Sequence, residues 1–353
     1  MFSLLKKNDL VGLDIGTSSV KAIQLKRAGK GLELVHLGIA AIPPETIVDG
    51  KIMDANAVVS TINQIFAENA IKTKEVAVAV SGHSVIVKKI RMAHMKEGEL
   101  RESIQWEAEQ YIPFAIEDVN IDFQIIGPPT AESQEMDVML VAVKKDIVND
   151  YQAIISSAGL HTAVVDVDAF ALENAYTISY EIKPDELVAL VNLGAAVMTI
   201  NILKNGVSAF TRDSAFGGNR YTEAIQKSLG LSYDQAEKLK MGQQVEGHTF
   251  EDAKPMIAEV NNELVGEIRR SFDFFRSSSQ DEHIHNLILS GGSVLLPGVL
   301  EFLSQGLEIP GEIANPLRNT KADPKKFDPE YLEFIAPQTA ISVGLALRQV
   351  GDK

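Results

Sequence analysis

Residues Leu10-Val11-Gly12-Leu13-Asp14-Ile15-Gly16-Thr17-Ser18-Ser19-Val20-Lys21 decide how the rest of the chain is read. An apolar run ends in Asp14, a Gly-Thr-Ser-Ser turn follows, and Val20 to Leu25 begins a second run, the pattern of strand, turn and strand. The residue types at the turn suit a phosphate. A carboxylate at a strand end can organise the water shell of Mg²⁺, which keeps most of its waters and needs one or two acidic groups. Gly16, Thr17, Ser18 and Ser19 offer N–H and hydroxyl donors. Lys21, two residues beyond Ser19, emerges on the same face. By itself the segment reads equally as a plain hairpin with a polar turn.

Outward from this hairpin, Leu32 to Ala40 forms a third strand after the turn Ala28-Gly29-Lys30-Gly31, giving an antiparallel meander. Val58, Ile62, Ile65 and Phe66 recur at helical spacing, which predicts a helix from Asp54 to Asn69 with Asp54 as N-cap. Glu75 to Val80 reads as a buried central strand. From Val85 to Leu160 the pattern is that of an inserted module. It has a strand at Val85–Ile90, a Glu-rich amphipathic helix from Gly98 to Ile112 stopped by Pro113, and strands Ile121–Ile126 and Val138–Val143 around a polar loop from Gly127 to Asp137. A helix from Lys145 to Ser157, ended by Gly159, completes it.

The second half repeats the opening plan. Leu187 to Leu193 is an apolar strand that reaches Asn192 and Gly194. Val197–Leu203, an Asn205-Gly206 turn and Val207–Thr211 continue a meander, and helices of mixed polarity fill Gly218 to Arg276. Leu287-Ile288-Leu289-Ser290-Gly291-Gly292 then runs a buried strand into a glycine turn, where backbone can closely approach a flat base or ribose. Each segment alone is weak evidence. In this order, spread over both halves, they predict two related lobes facing each other.

Composition agrees and excludes much. At 353 residues the chain has room for two cores. No apolar stretch nears the ~18 to 20 residues of a membrane span. The first seven residues are too short for a signal peptide and read as a solvated arm. There are no cysteines, so thiolate metal sites and a thiol nucleophile are excluded, and a reducing cytosol fits. A net charge of −15 disfavours nucleic acid, but a nucleotide remains acceptable if backbone N–H groups, a lysine and Mg²⁺ neutralise its phosphates locally. His283 and His285 read as surface imidazoles, and Trp106 as a packing or rim residue. No Walker lysine loop or dinucleotide triple-glycine fingerprint is present.

The order Asp14-Ile15-Gly16-Thr17, Asn192-Leu193-Gly194-Ala195 and Gly291-Gly292 resembles the phosphate-1, phosphate-2 and adenosine motifs of the actin, Hsp70 and sugar-kinase superfamily. Val165 to Leu172 and Ala336 to Ala346 resemble its two connecting helices. Within that superfamily, the opening stretch and Glu107-Ala108-Glu109-Gln110-Tyr111-Ile112-Pro113-Phe114 resemble the PilM family of type IV pilus assembly proteins, relatives of the division protein FtsA. The resemblance covers nearly the whole chain.

That resemblance implies an α/β, actin-like (ribonuclease H-like) two-lobed fold. Residues 1–84 would carry the phosphate-1 subdomain, 85–160 an FtsA-like insert, 161–186 a connecting helix, 187–335 the second lobe with a helical part near 220–286, and 336–353 the last connecting helix. It implies ATP and Mg²⁺ as cofactors. Asp14 is the expected metal ligand and, with Asp168, a catalytic residue. Gly16, Thr17, Ser18, Ser19, Lys21, Asn192, Gly194, Gly217, Gly218, Glu263, Gly291 and Gly292 are expected to bind nucleotide. It also implies a cytoplasmic protein peripheral to the inner membrane, holding the N-terminal tail of PilN in a groove beside the insert.

One departure matters. Many catalytic members carry a second aspartate where this chain has Asn192, which brings no charge and is a poor base. ATP binding without fast turnover is therefore expected, with Asp168 either orienting water or capping its helix. The alternatives are an FtsA-like filament former and a small-molecule phosphotransferase. FtsA-type members anchor by a C-terminal amphipathic helix, for which the segment ending at Lys353 leaves no room.

Overall fold

The computed structural model describes residues 10–29, 31–126, 135–245, 247–278 and 283–351. The N-terminal arm, Lys30 of the first turn and most of the expected loop between Gly127 and Asp137 lie outside the described residues.

Lobe one begins with the predicted meander, β1 (Val11–Ile15), β2 (Ser19–Ala28) and β3 (Gly31–Ala41). A small ribbon follows, β4 (Ile47–Val48) with β5 (Lys51–Ile52). Helix α1 (Ala55–Glu68) starts where Asp54 accepts the Ala57 N–H, and it buries Val58, Ile62, Ile65 and Phe66. Strand β6 (Glu75–Val80) then pairs parallel with β1.

The insert has its own core. Strand β7 (Val85–Ala93), helix α2 (Glu97–Ala108), β8 (Val119–Ile126) and β9 (Glu135–Lys144) form a three-stranded sheet covered by one helix. Leu100, Ile104, Ala108 and Ile112 pack on Ile90, Val138 and Leu140. The α2 helix stops four residues before Ile112; two short turns carry that side chain into the same core ahead of Pro113.

Helix α3 (Lys145–Ser157) departs from the sequence reading. Its apolar face, Ile147, Tyr151, Ile154 and Ile155, is buried with Val58, Ile62 and Val78 of lobe one. The module with a separate core therefore spans Val85–Lys144. The segment from 161, expected as a connecting helix, first forms β10 (His161–Val167), whose β-branched residues pair parallel with β6. Only then does α4 (Asp168–Ser179) begin.

Lobe two repeats lobe one. Strands β11 (Leu187–Leu193), β12 (Met198–Lys204) and β13 (Val207–Ser214) form the meander. Asn205 and Gly206, both at positive φ, make the predicted hairpin turn. Helices α5 (Asn219–Leu229), α6 (Tyr233–Lys240) and α7 (Phe250–Ser278) precede β14 (Asn286–Ser290), α8 (Val299–Leu307) and β15 (Gly311–Ile313). The sheet order is β13-β12-β11-β14-β15, and lobe one runs β3-β2-β1-β6-β10 in the same sense. Lobe one then receives β16 (Thr320–Lys321) on its β3 edge, α9 (Pro329–Ile335) and α10 (Ala340–Ala346).

The two connecting helices, α4 and α10, cross backbone to backbone. A Cβ on Gly344 would lie 1.8 Å from the Ala171 carbonyl oxygen, and one on Gly12 would lie 2.1 Å from that of Ser342. Glycine at both positions lets α10 wedge between β1 and α4.

Candidate functional site

The duplicated sheets place two hairpins face to face, and these match residue for residue. In lobe one Gly16 N–H donates to Ser19 O at 3.1 Å; in lobe two Gly194 N–H donates to Val197 O at 3.0 Å. Asp14 is paired across the strands with Lys21, and Asn192 with Thr199, each seven positions on. A charged couple in one lobe is thus a neutral couple in the other. Lys21 Nζ lies 2.9 Å from Asp14 Oδ2, and both side chains are about one-tenth exposed (11%). Asn192 Oδ1 accepts the Ser290 hydroxyl at 3.1 Å, so its NH₂ group is the end left to donate.

Glycines carry the loops around these hairpins. Gly218 N–H donates to Gly194 O at 2.9 Å and Asn219 N–H to Ala195 O at 2.8 Å, seating the start of α5 on the lobe-two hairpin. A Cβ on Gly217 would lie 2.4 Å from Ala195 O, which excludes larger residues. Gly291 has φ of 94°, donates to Pro337 O, and lets the β14 end run against Leu193. Ser293 Oγ donates to Gly194 O at 2.9 Å, so the glycine turn and the hairpin are one unit.

Between the lobes lies a cavity of 460 Å³. Of the residues expected to bind, Asp14, Gly16, Thr17, Ser18, Ser19, Lys21, Asp168, Asn192, Gly194, Gly218, Gly291 and Gly292 line it. Gly217 stands just behind as a spacer. Glu263 does not line it: it sits on α7, half exposed, with Oε2 3.0 Å from Arg220 Nη2. A helix-spaced glutamate on a long polar face carries no mark that tells a ligand from a surface ion pair.

Asp168 does not cap its helix. The N-cap position is Val167, without a side-chain cap, and the Asp168 carboxyl turns into the cleft to meet the Ser81 hydroxyl. Burial first, then the charges of Asp14 and Asp213, push its pKa up to about 8. At neutral pH it is largely protonated, so little of it is in the form that could take a proton. Asp213, which the sequence did not single out, reaches from β13 to accept the Gly82 N–H at 2.6 Å, and burial pushes its carboxyl up as well. That bond ties lobe two to the link preceding the insert. Among the described residues no group of three or more His, Cys, Asp or Glu side chains is arranged to hold a metal ion.

A second cluster was also missed, at the far wall of the cleft. Lys240 Nζ donates to Thr222 Oγ1 at 3.0 Å and to Glu237 Oε1 at 2.5 Å, and Thr222 bonds the same carboxylate. Tyr233, Met241, Phe334 and Gln338 complete that end, so it is broad and partly apolar. An acid and a base three residues apart on a polar helix read in sequence as a solvated pair. Their burial comes from α5 packing on α6, which local spacing does not encode. Among the described residues no helix is long and apolar enough to cross a membrane.

Comparison with known proteins agrees with this architecture. The family model for type IV pilus assembly protein PilM matches residues 12–350. Cell division protein FtsA of Bacillus subtilis (strain 168) is 24% identical over 391 residues, covering 97% of this chain and 83% of that one. FtsA of Streptococcus pneumoniae is 24% identical over 342 residues, covering 83% and 72%. A solved PilM–PilN type IV pilus biogenesis complex superposes with a TM-score of 0.88 at 30% identity, covering 98% of this chain and 100% of that chain. MreB 5 of Spiroplasma citri, bound to AMPPNP, shares the fold at a TM-score of 0.52 and 12% identity, covering 95% and 94%.

Proposed function

Because the chain belongs to the type IV pilus assembly protein PilM family, we propose that it is an ATP-binding scaffold of the pilus inner-membrane assembly complex that captures the N-terminal tail of PilN. The observation that carries the nucleotide half is the pair of matching hairpins at Gly16 and Gly194, closed alike and facing one cavity. Backbone N–H groups and hydroxyls of residues 16–19 bind phosphate oxygens, Lys21 supplies the cation, and the Asn192 NH₂ donates from the other lobe. At Gly194, Gly217 and Gly291 a Cβ would lie 2.8 Å or less from the backbone oxygens of Val197, Ala195 and Leu193, so glycine is what lets the loops beside the cavity close on one another. Mg²⁺ fits as an ion held mainly through its own waters, with Asp14 as its acidic contact.

Turnover is slow in this reading. The two hairpins would hold the single triphosphate chain of a bound ATP between them, with donors from both lobes facing one cavity. Asn192 cannot act as a base, and the Asp168 proton must leave before that group can orient a water. The residues thus hold and present more readily than they cleave.

The partner half rests on the likeness to the PilM–PilN complex. A groove of 490 Å³ between the insert and the start of α3 suits a short peptide, with Ile104, Ile121 and Phe123 as apolar floor and Arg101 and Lys145 at the rim. The test is capture of a PilN N-terminal peptide by the full chain with ATP, with ADP and without nucleotide. Binding that is lost in Ile121→Asp supports the scaffold. Unchanged binding in that variant, or none under any condition, rejects it. Equal binding in all three states makes the nucleotide structural, and a large difference makes it a switch.

A further inference from the structure

The insert joins the rest of the chain at two crossings, residues 81–84 on the way in and the step from Lys144 to Lys145 on the way out. The crossings are bound to each other. Val85 pairs with Val143 across the strands, and Lys144 N–H donates to Ser84 O at 3.1 Å. Together they make one root. Val85, Val87, Val141 and Val143 seat it on the core of lobe one, while the rest of the insert closes around Leu100, Ile104 and Leu140.

One side of the root is a wall of the nucleotide cleft. Ser81, Gly82 and His83 line the cavity, and the Ser81 hydroxyl meets the Asp168 carboxyl. Gly82 stands at φ of 83°, and its N–H donates to Asp213 Oδ2 at 2.6 Å. A carboxylate accepting at that length makes one of the stronger hydrogen bonds. Asp213 belongs to lobe two: it lies directly opposite Thr199, which lies opposite Asn192. The sheet that carries the Gly194 hairpin therefore holds the link as well, and β7 lies against β13.

The other side of the root is a wall of the partner groove. Lys145 lines that groove, and its Nζ donates to Glu117 O at 2.6 Å. Lys144 Nζ lies 4.4 Å from the centroid of the Phe114 ring. Residues 144 and 145 thus hold the 114–117 turn, whose Ile116 and Glu117 line the groove. Cleft and groove are joined by three short bonded steps, Asp213 to Gly82, Ser84 to Lys144, and Lys145 to Glu117.

The link is gripped from two sides: β7 seats its end on lobe one, and Asp213 holds Gly82 for lobe two. A nucleotide held by donors from both lobes favours one relative placement of the lobes over others, and such a shift pulls on Gly82. A glycine at positive φ, with nothing within 4 Å of its Cβ position, is free to turn there.

We propose that the Asp213–Gly82 bond is a latch through which nucleotide occupancy of the cleft sets the tilt of the insert, and with it the opening of the groove. This regulation rests on the cleft's binding a nucleotide; it holds whatever peptide the groove takes.

The chain has no cysteine, so introduced pairs can be labelled selectively. Asn63→Cys on α1, Glu102→Cys on α2 and Lys227→Cys on α5 are exposed positions in lobe one, the insert and lobe two. Spin labels are attached pairwise to the full chain, and distances are read by pulsed EPR without nucleotide and with saturating Mg·ATP. The nucleotide should move the Lys227 label relative to the Asn63 label and carry the Glu102 label with it, each by roughly 2 Å or more. In Asp213→Ala the lobes should still move, while the insert keeps its distance to lobe one. Asp213→Asn, which keeps an acceptor oxygen, should restore the insert's movement. Gly82→Ala, strained at that φ, should displace the link and reduce the movement. Bound ATP with an unmoved insert, no change in any distance, or full movement in Asp213→Ala overturns the latch and leaves the cleft reading standing. Calorimetry that finds no ATP binding removes both.

Discussion

Asp14 and Lys21 are direct cross-strand partners whose charged atoms lie 2.9 Å apart at the mouth of the first hairpin. The pair holds the lysine beside the loop until a phosphate competes for it. Removing either partner leaves the other charge nearly buried and alone, which costs roughly 3 kcal/mol.

Asp14→Ala should therefore lower both the melting temperature and the affinity for Mg·ATP, the latter by about a hundredfold, since two charge-assisted contacts are worth about 3 kcal/mol. Titration calorimetry checks this. Lys21→Met keeps the carboxylate and should also lose ATP affinity, yet retain weak Mg²⁺ binding. If Asp14→Ala binds ATP as wild type does, the cleft assignment is wrong.

Asn192→Asp places a carboxylate on the strand position matching Asp14, across from it in the second lobe. With Asp14, Asp168 and Asp213 nearby, the added charge should lower the melting temperature without Mg²⁺ and recover it when Mg²⁺ is added. ATP hydrolysis, read as phosphate release, should rise by one or more powers of ten, because each ~1.4 kcal/mol recovered at the transition state is tenfold. An unchanged rate would show that Asn192 is not what limits turnover.

The pH dependence follows from Asp168. Folded, it keeps its proton up to about pH 8; its ordinary value is 3.8. Between those values the folded chain binds more protons than the unfolded one, so its contribution to stability is full below pH 4 and is lost as pH rises through 8. Glu173 and Asp213, also raised chiefly by burial, act in the same direction. Without nucleotide, the melting temperature should fall by a few degrees from pH 5 to pH 8. Asp168→Asn should flatten that fall, and its advantage over wild type should grow toward pH 8.

Gly344→Ala drives a methyl into the Ala171 carbonyl, 1.8 Å from where the Cβ must sit. Overpacking of backbone on backbone should cost more than about 3 kcal/mol, seen as a lower urea midpoint. Gly98→Ala is the contrast. That position lies on the exposed first turn of α2 with nothing within 4 Å, and alanine there should add about 0.5 kcal/mol.

The sequence made the strand-glycine-hairpin elements readable because their signals are local. Buried strands are continuous apolar runs, and Gly16, Gly194 and Gly291 stand where those runs stop. The hairpin at Asn205-Gly206 and the N-cap at Asp54 are equally local. What escaped depends on distant packing. Lys145–Ser157 has the same periodicity whichever core it faces, and only the position of β10 beside β6 draws it into lobe one. Asp213 reads as one more polar residue at a strand end until Gly82, 131 residues earlier, meets it. Lys240 and Glu237 look solvated until α5 covers them, and Glu263 looked like a ligand yet faces Arg220.

Lobe one is assembled from both ends of the chain. Thr320 pairs with Leu32 on its sheet edge, and Val343 lies in one core with Ile23, Leu25 and Leu37. At about 5 to 20 residues per second of synthesis, roughly 15 to 60 s separate the emergence of the first hairpin from that of α10. Through that interval the nascent meander presents an apolar sheet face with no cover, while all of lobe two is made. The crossing at Gly344 is thus a closing step in time as well as in space: the ribosome must finish the second lobe before the first can be sealed.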